Sequence, residues 1–157
     1  MEAGSSGRSL FVIWHAGVCE LLKGGKYNWC FDTAPEPHLQ NRSLYWPRGK
    51  GLGGSSAING MVYIRGHAED YNDWAKQGNA GWSYADVLPY FKRSMNQERG
   101  ADDFHGVGGP LAVEDPKSGH ELFSAFIDAG QQAGVPYNAD FNGKKQEGVG
   151  PSHLTLN

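Results

Sequence analysis

Cysteine is scarce in this chain: two among 157 residues, Cys19 and Cys30, too few for a disulfide framework and without a CxxC motif. Charge of one sign is also missing. The net charge is −3 with lysine, arginine and carboxylates interspersed, so no electrostatic footprint for nucleic acid is present. No apolar run reaches the length of a membrane span. Internal repeats and low-complexity tracts are lacking too. The length suits one domain, and 39% apolar residues can supply a core. Aromatic residues make up 12%, which argues against disorder, while 23 glycines and eight prolines imply many turns.

The two ends read as cuts. "MEAGSSGRSL" opens as though a strand had just finished, and "VGPSHLTLN" stops within an apolar-polar alternation. The expectation is an internal stretch of a longer protein, with a complete small domain as the alternative.

Periodicity gives a coarse map. Residues 9–23, "SLFVIWHAGVCELLK", read as a strand running into a short helix. "YNWCFDT" places Tyr27, Trp29 and Phe31 on one strand face, closed by the two prolines of "APEPH". "HAEDYNDWAKQG" puts carboxylates in its first turn and ends with Lys76 and Gly78, the order a helix macrodipole favours. Ser83 with Asp86 forms a capping box, Trp82 can staple onto Val87, and the helix runs toward Met95 with a kink at Pro89. Ser118 with Glu121 repeats the capping pattern. It precedes an apolar stripe of Leu122, Phe123, Phe126 and Ile127 that stops at Gly134. "GPLAVED" reads as a strand. The fold class is α/β, or α+β if the chain is a fragment.

The most informative stretch is "WPRGKGLGGSSAINGMVYIRG", residues 46–66. A flexible linker would not carry Leu52, Ile58, Met61, Val62 and Ile64 so close by. Gly49, Gly51 and Gly54 satisfy G-x-G-x-x-G literally. However, "RSLYWPR" before them is no buried apolar strand, so the dinucleotide reading is rejected. A serine-hydrolase elbow needs G-x-S-x-G, and Ala57 stands where the second glycine belongs. That alternative, with Ser55 as nucleophile, stays open, as does a non-catalytic binding module. The remaining reading is close approach of bare main chain to a flat ligand. Ser55 or Ser56 would then cap a short helix beginning near Ala57.

The run "PRGKGLGGSSAINGMVYIRGHAEDYNDWA" resembles the first signature of the glucose-methanol-choline (GMC) family of FAD-dependent oxidoreductases, on its choline and alcohol dehydrogenase branch. Gly49, Gly53, Gly54, Ser55, Ser56, Asn59, Tyr63 and Gly66 carry the pattern. Further segments follow the family's order, among them "WSYADVLPYFKRSMNQE", "DFHGVGGPLAVED" and "FNGKKQEGVGP".

The resemblance implies oxidation of a primary alcohol such as choline, with proton removal from the hydroxyl and hydride transfer to flavin N5. It implies that Arg48 to Ser56 line the flavin and pyrophosphate. The main chain of Asn59, Gly60, Met61 and Val62 would border the ring near N5 and its C4 carbonyl. Trp29 stands where the family has an aromatic near the cofactor, although a plain core tryptophan explains it equally well. Glu2 would hold the adenosine ribose by two charge-assisted hydrogen bonds, with Ala3 and Gly4 ending its strand. Ile58 occupies the position of the histidine that tethers FAD in some members, so non-covalent FAD is expected.

The family's catalytic histidine and its phosphate-binding GxGxxG fall outside these 157 residues. The chain alone is therefore expected to bind FAD poorly and turn over nothing. Residues 1–79 would belong to the FAD-binding domain and 80–157 would lead into the substrate-binding domain. The electron acceptor, whether oxygen, a quinone or an electron-transfer protein, is not legible. A quaternary ammonium substrate would want an aromatic cage, but Trp74, Trp82, Tyr84 and Tyr90 sit at helical spacing and read as core.

Overall fold

The computed structural model describes residues 3–4, 22–117 and 119–155. Glu2, Cys19, Ser118 and most of the element expected over 9–23 lie outside the described residues. Helices and short strands are mixed, as the sequence implied, and the chain divides into two compact units, 1–60 and 61–157.

In the first unit, β1 (Phe31–Asp32) pairs antiparallel with β2 (Tyr45–Trp46), Phe31 opposite Trp46. The pairing continues past the strand ends through an Asn28–Gly49 bridge. There the Trp29 N–H reaches the Arg48 carbonyl at 2.8 Å and the Lys50 N–H the Tyr27 carbonyl at 2.8 Å. The expected strand over 27–33 is thus shorter and interrupted, because Cys30 takes φ 53°, a left-handed turn inside the segment. Asn28 explains the interruption. Its Oδ1 accepts from the Cys30 N–H at 3.1 Å, an Asx turn that competes with the ladder. Trp29 and Phe31 still share a face, with ring centroids 6.1 Å apart and planes within 2°.

Asn28 is almost fully buried, and all its side-chain hydrogen-bonding positions are used. Besides Cys30, Oδ1 accepts from the Arg48 N–H at 2.9 Å, while Nδ2 donates to the Leu22 carbonyl at 3.0 Å and the Tyr45 hydroxyl at 2.6 Å. One amide thereby fixes both arms of the ribbon.

The second unit holds β3 (Val62–Tyr63), α1 (Ala68–Lys76), α2 (Tyr84–Ser94), β4 (Met95–Gln97), β5 (Leu111–Val113), α3 (Glu121–Gln132) and β6 (His153–Leu154). β4 and β5 run parallel, with Gln97 opposite Val113. β3 pairs antiparallel with β6, and a Glu114–Leu154 bridge links that pair to the end of β5.

Both helices of the α1–α2 pair begin with a capping box. In α2 it is the expected Ser83–Asp86 pair; in α1 the cap is His67, with Asp70 answering it. α2 carries on through Pro89 to Ser94. The two helices meet around Tyr71, whose ring lies 5.4 Å from Trp74 and 5.7 Å from Phe91. For α3 the cap is His120, whose Nδ1 accepts from the Leu122 N–H at 3.2 Å. Glu121 is therefore the first helical residue, and the cap stands two residues later than the Ser118 position the sequence pattern gave it. Gly134 ends that helix with φ 89° as expected, but the apolar stripe is not covered: Leu122 is 68% and Phe126 71% exposed.

Among the described residues only Ile58, Met95 and Val113 are buried hydrophobics, against six buried polar or charged side chains. Arg65 is one of them. Its guanidinium bonds the Phe104 carbonyl at 2.8 Å and the Tyr63 hydroxyl at 3.2 Å, and lies over the Phe91 ring at 5.1 Å. Asn142 locks the same strand by accepting from the Arg65 N–H at 2.9 Å and donating to the Tyr63 carbonyl at 3.0 Å. These units are held largely by polar side chains that satisfy backbone.

Replacing Asn28 by alanine leaves the part-buried Arg48 and Cys30 N–H groups without their acceptor, at a cost of about 1–3 kcal/mol. Asn28→Asp keeps the acceptor and loses only the donors, so it is expected to unfold in urea at a concentration between those of wild type and Asn28→Ala. Equal midpoints for Asn28→Ala and wild type would remove this residue from its central place.

Candidate functional site

β2 ends at Trp46, and Pro47, which has no N–H to donate, interrupts the ladder before pairing resumes at the Asn28–Gly49 bridge. From Arg48 the chain enters the glycine stretch while the Asn28 amide grips the Arg48 N–H. Gly49 faces the turn so closely that a Cβ there would overlap the Gly54 carbonyl. Gly53 and Gly54 both take positive φ, 89° and 54°, and open a 3-10 turn over Gly54–Ala57. The turn begins earlier than the sequence indicated, so neither serine is its cap; Gly53 holds that position without a side-chain bond.

The serine hydroxyls close the turn instead. Ser55 Oγ accepts from the Gly49 N–H at 3.1 Å, and Ser56 Oγ donates to the Gly53 carbonyl at 2.6 Å. A hydrolase nucleophile needs a base within hydrogen-bonding reach, whereas these hydroxyls are occupied by their own loop. Behind the turn, Tyr27, Lys50, Leu52 and Ile58 border a recess of about 10 Å³, room for no more than a water. Ile58, at the position of the family's tethering histidine, is buried and apolar.

The other face is open. Gly53, Ser55, Asn59 and Gly60 are exposed, and Val62 is 56% exposed. Met61 adopts φ 57°, an uncommon conformation for a side-chain-bearing residue that costs about 1–2 kcal/mol. No sequence signal announces it. The geometry offers a run of main chain and small side chains onto which a flat group can be laid, with the bulky Ile58 turned inward. That arrangement fits an isoalloxazine ring better than it fits a ligand needing an enclosed pocket.

The remaining candidates stand nearby in sequence. Trp29 is 42% exposed, and the Lys50 ammonium lies 4.7 Å from its ring centroid. The plain-core reading of this tryptophan is not what the structure shows. Arg48 is exposed, bonded to the Pro47 carbonyl at 2.7 Å and placed over Trp46 at 5.0 Å. Ala3 is exposed and Gly4 half-buried; Glu2 lies outside the described residues. The Tyr45 phenol is raised above its usual range, first by the Cys30 thiol beside it.

Sequence reasoning missed Asn28, the residue that positions Arg48. An asparagine two residues before Cys30 is the signature of an Asx turn, yet the aromatic alternation around it concealed that signal.

Histidines were weighed as possible bases. Among the described ones, His67 and His120 cap helices, while His105 and His153 are 3% and 2% exposed. Asp140 and Asp102 raise the His105 imidazole above its ordinary value, against the effect of burial. Burial pushes His153 below its own. Sealed from solvent, this pair does not present a base to a substrate.

Comparison with known proteins agrees with this geometry. The profile of the GMC oxidoreductase family matches residues 2–155. An oxygen-dependent choline dehydrogenase of Photobacterium profundum is 49% identical over 158 residues, covering 99% of this chain and 28% of the relative. One of Brucella anthropi is 55% identical over 130 residues, 83% of this chain and 24% of the relative. Among solved structures, pyridoxine 4-oxidase from Mesorbium loti superposes with a TM-score of 0.89 at 32% identity, covering 99% of this chain and 31% of that one. The chain thus spans about a quarter of the curated relatives it matches.

Two glycine variants test the turn. Gly49→Ala forces its methyl into the Gly54 backbone and is expected to cost about 1–3 kcal/mol or more. Gly24→Ala, in open space with ordinary φ, serves as the control and is expected to be neutral. Urea midpoints decide it: indistinguishable values for the two variants would mean that Gly49 does not shape this turn.

Proposed function

The chain belongs to the GMC oxidoreductase family, and from that premise we propose that the protein bearing this stretch is an FAD-dependent alcohol dehydrogenase acting on a choline-type primary alcohol. Members of this family and the solved neighbours are FAD flavoproteins. FAD, when bound, supplies the redox chemistry by accepting hydride at N5. This chain's own contribution is positional. Gly49 to Ser56 form a compact turn that presents backbone to the cofactor's phosphate and ring, and the main chain of Asn59 to Val62 borders the ring. Arg48 and Lys50 supply positive charge beside it, and Trp29 an aromatic surface.

The observation that carries the reading is the open, side-chain-poor face at 53–62, built on an inward-turned Ile58 within a family-wide signature. An apolar residue there has no nucleophile for the cofactor, so FAD is held non-covalently. Residues 1–79 are assigned to FAD binding, and 80–157 lead toward the substrate. As the resemblance implies, the base that removes the hydroxyl proton comes from residues beyond this stretch; His67 and His120 cap helices here, and His105 and His153 are buried. The relatives are described as oxygen-dependent, which favours oxygen over a quinone as electron acceptor.

Anaerobic addition of choline to the purified full-length flavoprotein is expected to bleach the visible band of oxidised FAD, and air to restore it. Bleaching by aromatic alcohols alone would overturn the substrate assignment while sparing the cofactor. A full-length protein that neither retains nor takes up FAD would overturn both. The 157-residue chain alone is expected to bind FAD weakly and to show no turnover; purification with stoichiometric yellow flavin contradicts that.

A further inference from the structure

Within the second unit, three residues from separate segments converge: His105 in the loop after β4, Asp140 in the loop after α3, and His153 in β6. One ligand atom from each lies within 4.8 Å of the others, and the imidazole rings cross nearly at right angles with centroids 5.7 Å apart. His105 Nε2 is 3.5 Å from one Asp140 oxygen, and His153 Nδ1 is 3.8 Å from the other.

The far side of each ring faces a carboxylate. His105 Nδ1 is 2.9 Å from Asp102 Oδ1, and that oxygen is itself fixed by the N–H groups of Phe104 at 2.7 Å and His105 at 2.6 Å. His153 Nε2 is 3.6 Å from Asp115 Oδ1. The Asp102 contact places a proton on His105 Nδ1 and leaves Nε2 as the free position. That atom is buried and makes no hydrogen bond of good geometry, its nearest polar neighbour being the Asp140 oxygen at 3.5 Å.

We propose that His105 Nε2, His153 Nδ1 and the Asp140 carboxylate form a site for a divalent ion of the zinc class that ties these three segments together. A tetrahedral zinc ion with bonds of about 2.0–2.1 Å sets its ligand atoms roughly 3.3–3.4 Å apart; His105 Nε2 already stands 3.5 Å from one Asp140 oxygen, and the three ligand atoms, all within 4.8 Å of one another, draw in to reach that spacing. Ligating histidines characteristically give their other N–H to a carboxylate, which Asp102 supplies for His105; His153 Nε2 has the Gln97 side-chain amide at 3.5 Å and Asp115 at 3.6 Å beside it. Charge agrees as well. Asp102, Asp115 and Asp140 surround the cluster, and Arg99, paired with Asp115 at 2.5 and 2.6 Å, offsets only one of them. The rearrangement required is local: Asn142 Nδ2, 3.1 Å from His153 Nδ1, gives up that donation and keeps the Tyr63 carbonyl. The role is structural, a staple across loops that share few apolar contacts, and it is independent of the flavin reading.

The test uses the full chain stripped with EDTA, then supplied with Zn²⁺ or Co²⁺ and passed through gel filtration. One ion per chain is expected, with the visible d–d bands of tetrahedral Co²⁺ and an X-ray absorption spectrum at the zinc edge showing two imidazole ligands. Asp140→Asn and His153→Gln are expected to abolish retention while preserving the far-ultraviolet circular dichroism. Asp102→Asn, which touches only the outer partner of His105, should weaken metal affinity by about 10–100-fold. Failure of the wild-type chain to retain metal overturns the proposal, as does a zinc spectrum of water oxygens alone, and both readings stand whether or not the variants fold. Unchanged retention in folded Asp140→Asn and His153→Gln overturns it equally.

Discussion

Buried side-chain amides that capture backbone groups hold this chain together where an apolar core would ordinarily do so. Asn28 joins the two arms of the β1–β2 ribbon through four hydrogen bonds, and Asn142 behaves as an extra strand residue beside Tyr63 and Arg65. Asn138, only half-buried, ties the loop after α3 in the same manner, donating to the carbonyls of Lys145 and Glu147 at 2.9 and 3.1 Å. A buried amide contributes only when every donor and acceptor is met, because an unmet one costs about as much as the bond supplies. Such a scaffold is stiff and particular about geometry. That suits a loop whose backbone must be held in conformations glycine alone tolerates.

The same scaffold explains why apolar side chains remain outside. Trp82, Tyr90, Leu122 and Phe126 are each more than half exposed, and with only three buried hydrophobics among the described residues they find no cover within this stretch. The curated relatives are several times longer than this stretch, which covers 28% of the Photobacterium profundum protein. No helix among the described residues is long and apolar enough to cross a membrane.

Local rules made much of the second unit legible from sequence. The Ser83–Asp86 box, the carboxylates opening α1, the Gly134 stop and the strand at Leu111–Val113 each depend on neighbours a few residues apart. The misses share a cause. Cys30 leaves the strand because an amide two residues back prefers its N–H, and the cap of α3 moves to His120 because an imidazole can accept as a serine does. The convergence of His105, Asp140 and His153, up to 48 residues apart in the sequence, follows from topology that no short pattern encodes. In the glycine stretch the residue types revealed a close approach of backbone, while the left-handed Met61 and the part played by both serines in closing the turn emerged only with coordinates.

The central claim is that the bare main chain at residues 53–62 is the seat of the flavin ring. Amide hydrogen exchange of the full-length protein, compared with and without FAD, addresses it most directly. The account predicts that FAD slows exchange at Gly53 and Asn59 to Val62, with the Gly54 and Ile58 amides little changed because they already donate to the Gly51 and Ser55 carbonyls at 2.8 and 3.2 Å. Protection confined to other segments, with residues 53–62 exchanging equally fast in both forms, would contradict it.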